Sequence, residues 1–582
     1  MDSRLIQMCI EAAAESSDAV EAWRRQRRTL ERMPSLLAEA LLHRLLHRGL
    51  LFPSLLEVFR HSVEKMDLRG QNCVDAEWMA YLGSFHYLSS LNLADCYKIS
   101  GAALWSIIGI TNLKELDLSR CSKMNDAGIR HLSSFPSLER LCISETGVSS
   151  EGIRLLSSLT NLYYLDLGGL AVSDLALSSL QGLKKLQFLD LWGSEISNSG
   201  AALLQYFPKL SSLNLAWTKV TKLPNLSSLE FLNLSNCTIT SIFKGEGDKA
   251  RLAKLVASNA TFADVSGALS NVEIAFLSHL DLSNALIDSF CFLPHLTSVT
   301  YLDLGGSPMA DDSVENIVCI GAKLTYLSLN NTKVSSEGME ILAGHLPNLE
   351  TLLLSGTYID DAAISYIGMM PSLKAINLSG TKIKGLIMQE GSDSSWVPTF
   401  SALQNLSQLE RLELEGMQLK DAALYPFSIL NSLTYLSLQS VILTDESLLL
   451  LSASQKLEHL AIRDAVLTNA GLNSFTPPPN LRVLDVRGGW LLTEDAIVLF
   501  SRKYPNIKLR HELAVSDRGG DFRYSSPAAQ KTVSLKNARK FSVSPPVFDK
   551  SALLARDQRI KYTREELLEL QFSVAPARFF PR

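Results

Sequence analysis

The sequence lacks the cysteine spacings that mark metal sites and disulfide frameworks. Its eight cysteines are scattered along 582 residues, and none belongs to a CxxC pair. No apolar run reaches the length of a transmembrane helix, and residues 1–17 carry acidic and polar side chains where a secretory leader would have its apolar segment. These absences predict free thiols and an intracellular location, cytoplasmic and also nuclear, with no membrane partner.

Catalytic signatures are lacking as well. His511 and Glu512 begin like HExxH, but Val515 stands where the second histidine belongs. There is no GxxxxGK[ST] loop, no GxGxxG after a strand and no GxSxG turn, and the ten histidines do not cluster at metal-ligand spacing. The net charge of only −5 forces no polycation or polyanion role. We therefore predict a non-enzyme that needs no cofactor or metal and binds no nucleic acid directly.

What the chain does have is a repeat. The segment TNLKELDLSRC contains Leu113, Leu116 and Leu118, followed by Cys121, and its pattern LxxLxLxx plus a small residue returns about every 24 residues. A period of that size indicates a stacked solenoid rather than a globular core. The first apolar residues of the eighteen frames are Val63, Leu88, Leu113, Leu138, Leu162, Leu186, Leu210, Leu229, Leu252, Leu277, Val299, Leu324, Leu349, Leu373, Leu409, Leu433, Leu457 and Leu481.

Each frame predicts a strand, a turn and a helix. The LxL alternation directs two leucines inward from a short strand. The next buried position is often Cys or Thr, whose side chain can donate a hydrogen bond to the turning backbone. Starts such as Asp126, Ser149 and Ser335 then resemble helix N-caps with an acid in the first turn. The step from Leu373 to Leu409 is unusually long, which predicts a surface loop or a local break in curvature there.

These frames resemble leucine-rich repeats of the cysteine-containing type that is common in F-box proteins. The resemblance implies an α/β solenoid, an arc with a concave parallel β-sheet and convex helices. Around it we predict a helical N-terminal cap at 1–62, about 18 repeats at 63–512, a disordered basic linker at 513–556 and a short recognition helix at 557–575.

The concave strands offer the candidate binding surface. The residue between the two frame leucines is usually Asp or Asn, as in Asp166, Asp190 and Asp303, and an aromatic residue often stands two positions earlier on the same face. The aromatic candidates are Tyr164, Phe188, Trp192, Tyr301 and Tyr326. Aromatic rings beside acids suit a basic or mixed protein segment. An alternative for the acids is purely structural, with each carboxylate bonded to neighbouring backbone. Both alternatives stay open here, whereas the rings favour binding.

The tail contains a sharper motif. Tyr562 is followed after four residues by Leu567 and Leu568, with Arg559 and Arg564 supplying positive charge. This pattern resembles the Y-x4-L-Φ segment by which translation scaffolds and repressors dock on the mRNA cap-binding initiation factor. The resemblance implies that Tyr562 is a hydrogen-bonding anchor, that the two leucines are buried and that Arg564 forms a salt bridge. The alternative is a helix that packs back on the solenoid.

The N-terminus suggests a second partner. Leu5, Cys9 and Ala13 lie at i, i+4 and i+8, so that they share one helix face, and a leucine-rich segment follows from Pro34. This pattern resembles the box that recruits an elongin C-like adaptor in ubiquitin-ligase receptors, and an F-box would recruit a Skp-like adaptor instead. The resemblance implies a substrate-recognition subunit of a cullin-type ligase. The alternative is a plain hydrophobic cap.

Overall fold

We describe a computed structural model of the chain over residues 3–25, 33–244, 249–389 and 395–513. The chain divides into two compact units, one ending at Tyr358 and the other beginning at Ile359. We call them unit 1 and unit 2 and describe each by itself.

Unit 1 begins with three helices, α1 (Ser3–Ala13), α2 (Ser17–Arg24) and α3 (Ser35–His47), and a 3₁₀ segment, Pro53–Val58. Glu11 of α1 accepts hydrogen bonds from Arg44 of α3 and from Arg48, which follows directly after α3, at 2.6 and 2.7 Å. Glu39 of α3 accepts the backbone N–H of Lys65 at 2.9 Å, which ties the helices to the first strand. The predicted helical cap is thereby confirmed.

The repeats of unit 1 place one short strand each into a parallel sheet. Every central leucine, such as Leu116 or Leu165, aligns with the central apolar residue of the next strand. In the described part of unit 1 this sheet runs in chain order through β1 (Lys65–Asp67), β2 (Ser90–Asn92), β3 (Glu115–Asp117), β4 (Arg140–Cys142), β5 (Tyr164–Asp166), β6 (Phe188–Asp190), β7 (Ser212–Asn214), β9 (Phe231–Asn233), β12 (Lys254–Val256), β14 (His279–Asp281), β15 (Tyr301–Asp303), β16 (Tyr326–Ser328) and β17 (Thr351–Leu353).

Unit 2 repeats the same architecture. Its parallel strands, in the order in which they pair, are β18 (Ala375–Asn377), β21 (Arg411–Leu414), β22 (Tyr435–Gln439), β23 (His459–Arg463), β24 (Val483–Asp485) and β25 (Lys508–Arg510). The parallel sheet that the sequence predicts is therefore present in both units.

The other side of the sheets is partly α-helical. The α-helices are α4 (Ala76–Leu82), α5 (Asp126–Ile129), α6 (Ser150–Arg154), α7 (Asp174–Ser179), α8 (Asn198–Ala202), α9 (Val265–Leu269), α10 (Asp311–Val318), α11 (Ser336–Leu342), α12 (Ala363–Ile367), α13 (Asp445–Leu451), α14 (Asn469–Ser474) and α15 (Glu494–Lys503). 3₁₀ segments stand alone or extend them at Gly101–Ile107, Arg130–Ser134, Leu155–Ser158, Leu180–Gly182, Leu203–Tyr206, Ile274–Phe276, Leu293–His295, Gly321–Lys323, Thr399–Asn405 and Asp421–Ile429.

The expectation of one α-helix in every repeat is wrong. After β7 the chain forms extended segments instead, with β8 (Lys222–Pro224) pairing with β11 (Ser241–Lys244) and β10 (Thr238–Ile239) pairing with β13 (Thr261–Phe262). The short step from Leu210 to Leu229 explains the first of these segments, β8, because too few residues remain between β7 and β9 for a helix, whereas an extended segment needs few.

The long step between Leu373 and Leu409 does not form an irregular loop in its described part. The strands β19 (Leu386–Gln389) and β20 (Ser395–Pro398) pair as an antiparallel hairpin, with Met388 opposite Trp396. Both side chains are exposed. The inserted residues therefore satisfy their backbone hydrogen bonds with one another, which irregular chain would leave to solvent.

Buried leucines fill the space between the two sides of each unit. Leu116, Leu118 and their counterparts have almost no solvent exposure, and each contributes roughly 1.5–3 kcal/mol when it is fully covered. The Thr and Cys positions donate hydrogen bonds as predicted. Thr332 bonds the Leu329 carbonyl of its own repeat at 2.7 Å, whereas the Cys121 thiol bonds the Leu93 carbonyl of the preceding repeat at 3.1 Å.

A carboxylate at the helix start also links successive repeats. One oxygen of Asp311 accepts the backbone N–H of Ser335, the N-cap of α11, at 2.8 Å, and the other accepts its hydroxyl at 2.6 Å. The same pair of hydrogen bonds joins Asp126 to Ser149, Asp174 to Ser197, Asp421 to Thr444 and Asp445 to Thr468. We call this pair of bonds the Asp bridge.

The Asp bridge predicts an unusual response to Gly338→Ala. Alanine has a higher helix propensity than glycine, but Gly338 is buried in α11. A Cβ at Gly338 would instead overlap the Asp311 carboxylate and lie 2.9 Å from Val334, so we expect a loss of about 1–3 kcal/mol in the free energy of unfolding. Urea denaturation measures it.

Gly109→Ala is the matched control, because a Cβ there meets nothing within 4 Å. Adding Asp311→Ala should make the cost of Gly338→Ala smaller, since the overlapping oxygen is gone. A stabilising Gly338→Ala would show that the bridge does not constrain this position.

Candidate functional site

The strands present two rows of side chains to solvent in each unit. The residue before the central leucine belongs to what we call the ring column, and the residue after it belongs to the acid column. Register places Tyr164 beside Phe188 in the ring column and Asp166 beside Asp190 in the acid column. Since neighbouring strands lie about 4.8 Å apart, side chains in one column touch.

The first ring stack lies on β4–β6. The Tyr164 and Phe188 rings are parallel within 2°, with centroids 4.0 Å apart. The guanidinium carbon of Arg140 lies 3.9 Å from the Tyr164 centroid on the preceding strand. Both rings are half-buried, and burial raises the pKa of the Tyr164 phenol to about 12. The stack therefore presents neutral rings held in fixed orientation.

A second stack lies on β14–β16. His279 stacks on Tyr301 at 3.8 Å, and Tyr301 stacks on Tyr326 at 4.0 Å. Burial, with Lys254 nearby, lowers the pKa of His279 to about 4. The imidazole is therefore neutral at physiological pH and behaves as a third flat ring.

Unit 2 has a similar arrangement in its own ring column. The Arg411 guanidinium carbon lies 3.8 Å from the Tyr435 ring centroid, and His459 follows Tyr435 on the next strand at 5.9 Å. An arginine over a tyrosine is thus a recurrent contact of this fold.

The side chains of the acid column face solvent and also bond the backbone just after the end of each strand. Asp166 accepts the backbone N–H of Gly168, and Asp190 accepts that of Trp192, both at 2.9 Å. Their second oxygens accept hydrogen bonds from Ser144 and Asn214. The structural role that the sequence left open is therefore real, and Asn fills the same role in other repeats because its side-chain oxygen accepts the same bond.

Ionisation of these carboxylates is energetically unfavourable in the folded protein. Burial, followed by repulsion from Asp117 and Glu145, raises the pKa of Asp166 above its usual range. Burial and the charge of Asp166 do the same to the pKa of Asp190, and burial with Asp281 does so for Asp303. An added positive charge beside this column would therefore be favourable.

Two tryptophans flank the first stack. Trp192 lies against Gly168 and Gly169, and its indole occupies the space that a Cβ at Gly168 would need. Trp217 has a positive φ of 60° and is 65% exposed. A bulky residue in the left-handed region is strained, and here the strain accompanies a large apolar surface in water.

The residues proposed for the binding face fall into two groups. Two adjacent strands, β5 and β6, carry Tyr164, Asp166, Phe188 and Asp190, and Trp192 lies in the turn after β6. Tyr301, Asp303 and Tyr326 form the second group on β15 and β16. Sequence reasoning missed Arg140 and His279, which complete the stacks. Both stand directly before a central leucine, which is the position that defines the ring column, so the sequence alone would have identified them.

The other predicted contacts are less fully described. Cys9 is exposed and Ala13 is half-buried on α1, while only the backbone of Leu5 is described. The tail residues Arg559, Tyr562, Arg564, Leu567 and Leu568 lie outside the described residues. Both partner assignments therefore stay predictions.

Other site classes leave no trace in the part of the chain that the structure covers. Within 3–25, 33–244, 249–389 and 395–513 no three His, Cys, Asp or Glu side chains are grouped to hold a metal ion. Over those same ranges, every helix is too short or too polar to cross a bilayer.

The raised pKa of Asp166 predicts a pH-dependent effect of Asp166→Asn. A carboxyl whose pKa is higher in the folded state stabilises the fold at low pH, and that stability is lost as pH rises through the folded pKa. Asn keeps the bond to Gly168 without the buried charge. We therefore expect Asp166→Asn to be at least as stable as wild type at pH 7, with a difference that shrinks towards pH 4.

Urea midpoints at pH 7 and pH 5 measure the difference. Asp166→Ala is the companion variant, because it also removes the acceptor and should be about 1 kcal/mol less stable than Asp166→Asn at both pH values. If Asp166→Asn were the less stable protein at pH 7, the repulsion described for this column would not be significant.

Comparison with known proteins agrees with this architecture. Residues 120–394 match the family model described as "Leucine-rich repeat region". No curated protein matches the chain. Among solved structures, an internalin (inlF) from Listeria monocytogenes is 21% identical, with 73% of this chain and 92% of that chain covered and a TM-score of 0.35.

Two further solved structures are similar. The TLR13 chain of a TLR13–ssRNA13 complex is 22% identical, with 74% of this chain and 66% of that chain covered and a TM-score of 0.46. The ectodomain of the receptor kinase GASSHO1/SCHENGEN3 from Arabidopsis thaliana is 16% identical, with 75% and 60% covered and a TM-score of 0.39. The match identifies residues 120–394 as a leucine-rich repeat region, and the strand-and-turn repeat seen in both units is the architecture of such a region.

Proposed function

We propose that the chain is a non-catalytic scaffold that binds protein partners on the solvent face of the unit 1 sheet. The observation that carries this proposal is the pair of ring stacks, Arg140–Tyr164–Phe188 and His279–Tyr301–Tyr326, displayed beside a column of carboxylates.

The rings of these stacks are already ordered before any partner binds. Aromatic side chains dominate the energetics of protein interfaces, and each flexible side chain that must be immobilised costs affinity. Tyr164 and Phe188 hold each other parallel, and Trp192 is held against glycine backbone. A partner would therefore meet apolar area whose ordering cost has already been met during folding.

The charge of this surface indicates the charge that a partner should carry. Between β2 and β17 the residues of the two columns and the following turn include Asp95, Glu115, Asp117, Glu145, Asp166, Asp190, Asp281 and Asp303, against Arg120, Arg140 and Lys254. A basic or mixed protein segment complements this surface, and the attraction would accelerate association at low salt.

Two finer hypotheses concern the ends of the chain. The pattern Tyr562–Leu568 supports recruitment of the mRNA cap-binding initiation factor. The alternative, a substrate receptor of a cullin-type ubiquitin ligase, is favoured by the exposed Cys9 on α1. In both cases the repeats would hold one protein while a terminal segment engages another.

The first test removes the rings of one stack. We expect Tyr164→Ala combined with Phe188→Ala to weaken partner binding at least tenfold, since interface aromatics contribute 2 kcal/mol or more each. Quantitative affinity capture with the full-length chain, followed by titration of the captured partner, measures this. Leu175→Ala is the control, because Leu175 is 76% exposed on α7. Equal binding by both variants would exclude the stack as the partner site.

The second test addresses the tail. Tyr562→Ala with Leu567→Ala should abolish binding of the full-length chain to purified cap-binding initiation factor, because the anchor and one buried leucine are lost together. Thr563→Ala, inside the same motif, should leave binding unchanged. Isothermal titration calorimetry reports both, and undiminished affinity in the double variant would refute the motif.

A further inference from the structure

Between β4 and β12 the ring column of unit 1 is interrupted at one strand. From β4 to β12 it reads Arg140, Tyr164, Phe188, Ser212, Phe231 and Lys254, and each residue is aligned with the next by strand register. Only Ser212 lacks a long or flat side chain. We call the space above it the Ser212 gap.

The walls of the Ser212 gap are aromatic. Phe188 is parallel to Tyr164 on one side, so its opposite face points along the column towards Ser212. The Lys254 ammonium lies 5.7 Å from the Phe231 ring centroid on the side away from the gap, which leaves the nearer face of Phe231 towards Ser212. Phe188, Ser212 and Phe231 are all half-exposed, so the gap opens to solvent.

The width of the gap suits one planar group. Two strand spacings separate Phe188 from Phe231, which is about 9.5 Å. A flat group in van der Waals contact with a ring on each face needs about 7–8 Å. A single guanidinium or ring therefore fits, and a second layer does not.

The charge beside the gap distinguishes between these planar groups. Asp190 lies diagonally across from Ser212, since the register of β6 and β7 pairs Phe188 with Ser212 and Asp190 with Asn214. The Asp190 carboxylate accepts hydrogen bonds from the Trp192 N–H and the Asn214 side chain. The other acid-column neighbours of the gap, Asn214 and Asn233, are neutral. A planar cation gains both ring faces and this carboxylate, whereas a neutral ring gains the faces alone.

The chain itself already uses this contact twice. Arg140 covers Tyr164 at 3.9 Å and Arg411 covers Tyr435 at 3.8 Å, each from the adjacent strand of the same column. A partner arginine above Phe188 would repeat, from outside the chain, the contact that these internal arginines make with their tyrosines.

We propose that the Ser212 gap receives an arginine side chain of a partner protein, with its guanidinium between Phe188 and Phe231 and beside Asp190. This assignment rests on the proposed function, in that a partner lies on the sheet face of unit 1, and it adds which side chain that partner inserts and where. Arginine rather than lysine is selected because a guanidinium is flat and stacks, whereas an ammonium is compact and strongly hydrated.

The experiment compares two peptide probes on the full-length chain. Fluorescein-labelled nona-arginine and nona-lysine carry the same charge, so their ratio of affinities, measured by fluorescence anisotropy, isolates the guanidinium. We expect wild type to bind nona-arginine at least fivefold more tightly. Ser212→Tyr fills the gap with the ring type that occupies this column at Tyr164 and Tyr301, and should bring the ratio close to one.

Three further variants control the result. Ser212→Ala leaves the gap open and should keep the preference. Thr351→Tyr adds a ring to the same column beside Tyr326, away from the gap, and should also keep it. Asp190→Asn should weaken nona-arginine binding more than nona-lysine binding. Thermal melting of Ser212→Tyr verifies that the variant is folded.

Equal affinities for the two peptides in wild type would overturn the proposal, as would a preference that survives in folded Ser212→Tyr. Either result leaves the scaffold function standing if the Tyr164→Ala, Phe188→Ala variant still loses its partner. Unchanged partner capture by the Tyr164→Ala, Phe188→Ala variant would instead contradict the proposed scaffold function.

Discussion

Each repeat depends on the next one to cover its leucines. A strand of three residues, with one inward leucine at its centre and a second just beyond its end, cannot bury them alone, so the free energy of roughly 1.5–3 kcal/mol per leucine is realised only after stacking. Leu116 becomes buried because Leu91 and Leu141 flank it in register. Everything on the surface of each unit inherits the spacing that this burial imposes.

That spacing converts a period along the chain into rows across the sheet. Residues that are 24 or so positions apart become neighbours at about 4.8 Å, which is close to the separation at which flat rings stack. Tyr164 and Phe188 therefore stack without any local sequence relationship, and so do Tyr301 and Tyr326. The same rule buries the carboxylates and crowds them, and burial, followed by their mutual repulsion, raises the pKa values of Asp166 and Asp190.

Hydrogen bonds also join successive repeats. The Asp bridge connects the start of one helix to the N-cap of the next, and the buried Cys121 thiol reaches the carbonyl of the preceding repeat. Such bonds cross between repeats where backbone groups would otherwise be unsatisfied. They explain why Gly338, in the next repeat, must stay without a side chain opposite Asp311.

The periodic residues by themselves determined the repeat, the parallel strands and the face on which Tyr164 and Asp166 appear, because a period and a strand alternation suffice for each. The helical cap, which lies before the first repeat, was predicted instead from residues at helical spacing. They could not determine the extended segments after β7 or the hairpin at Met388 and Trp396, where length and pairing compete with helix formation. Nor could they show the stacks completed by Arg140 and His279 or the gap above Ser212. Those depend on which side chains the register brings together, and only the packed structure decides that distance.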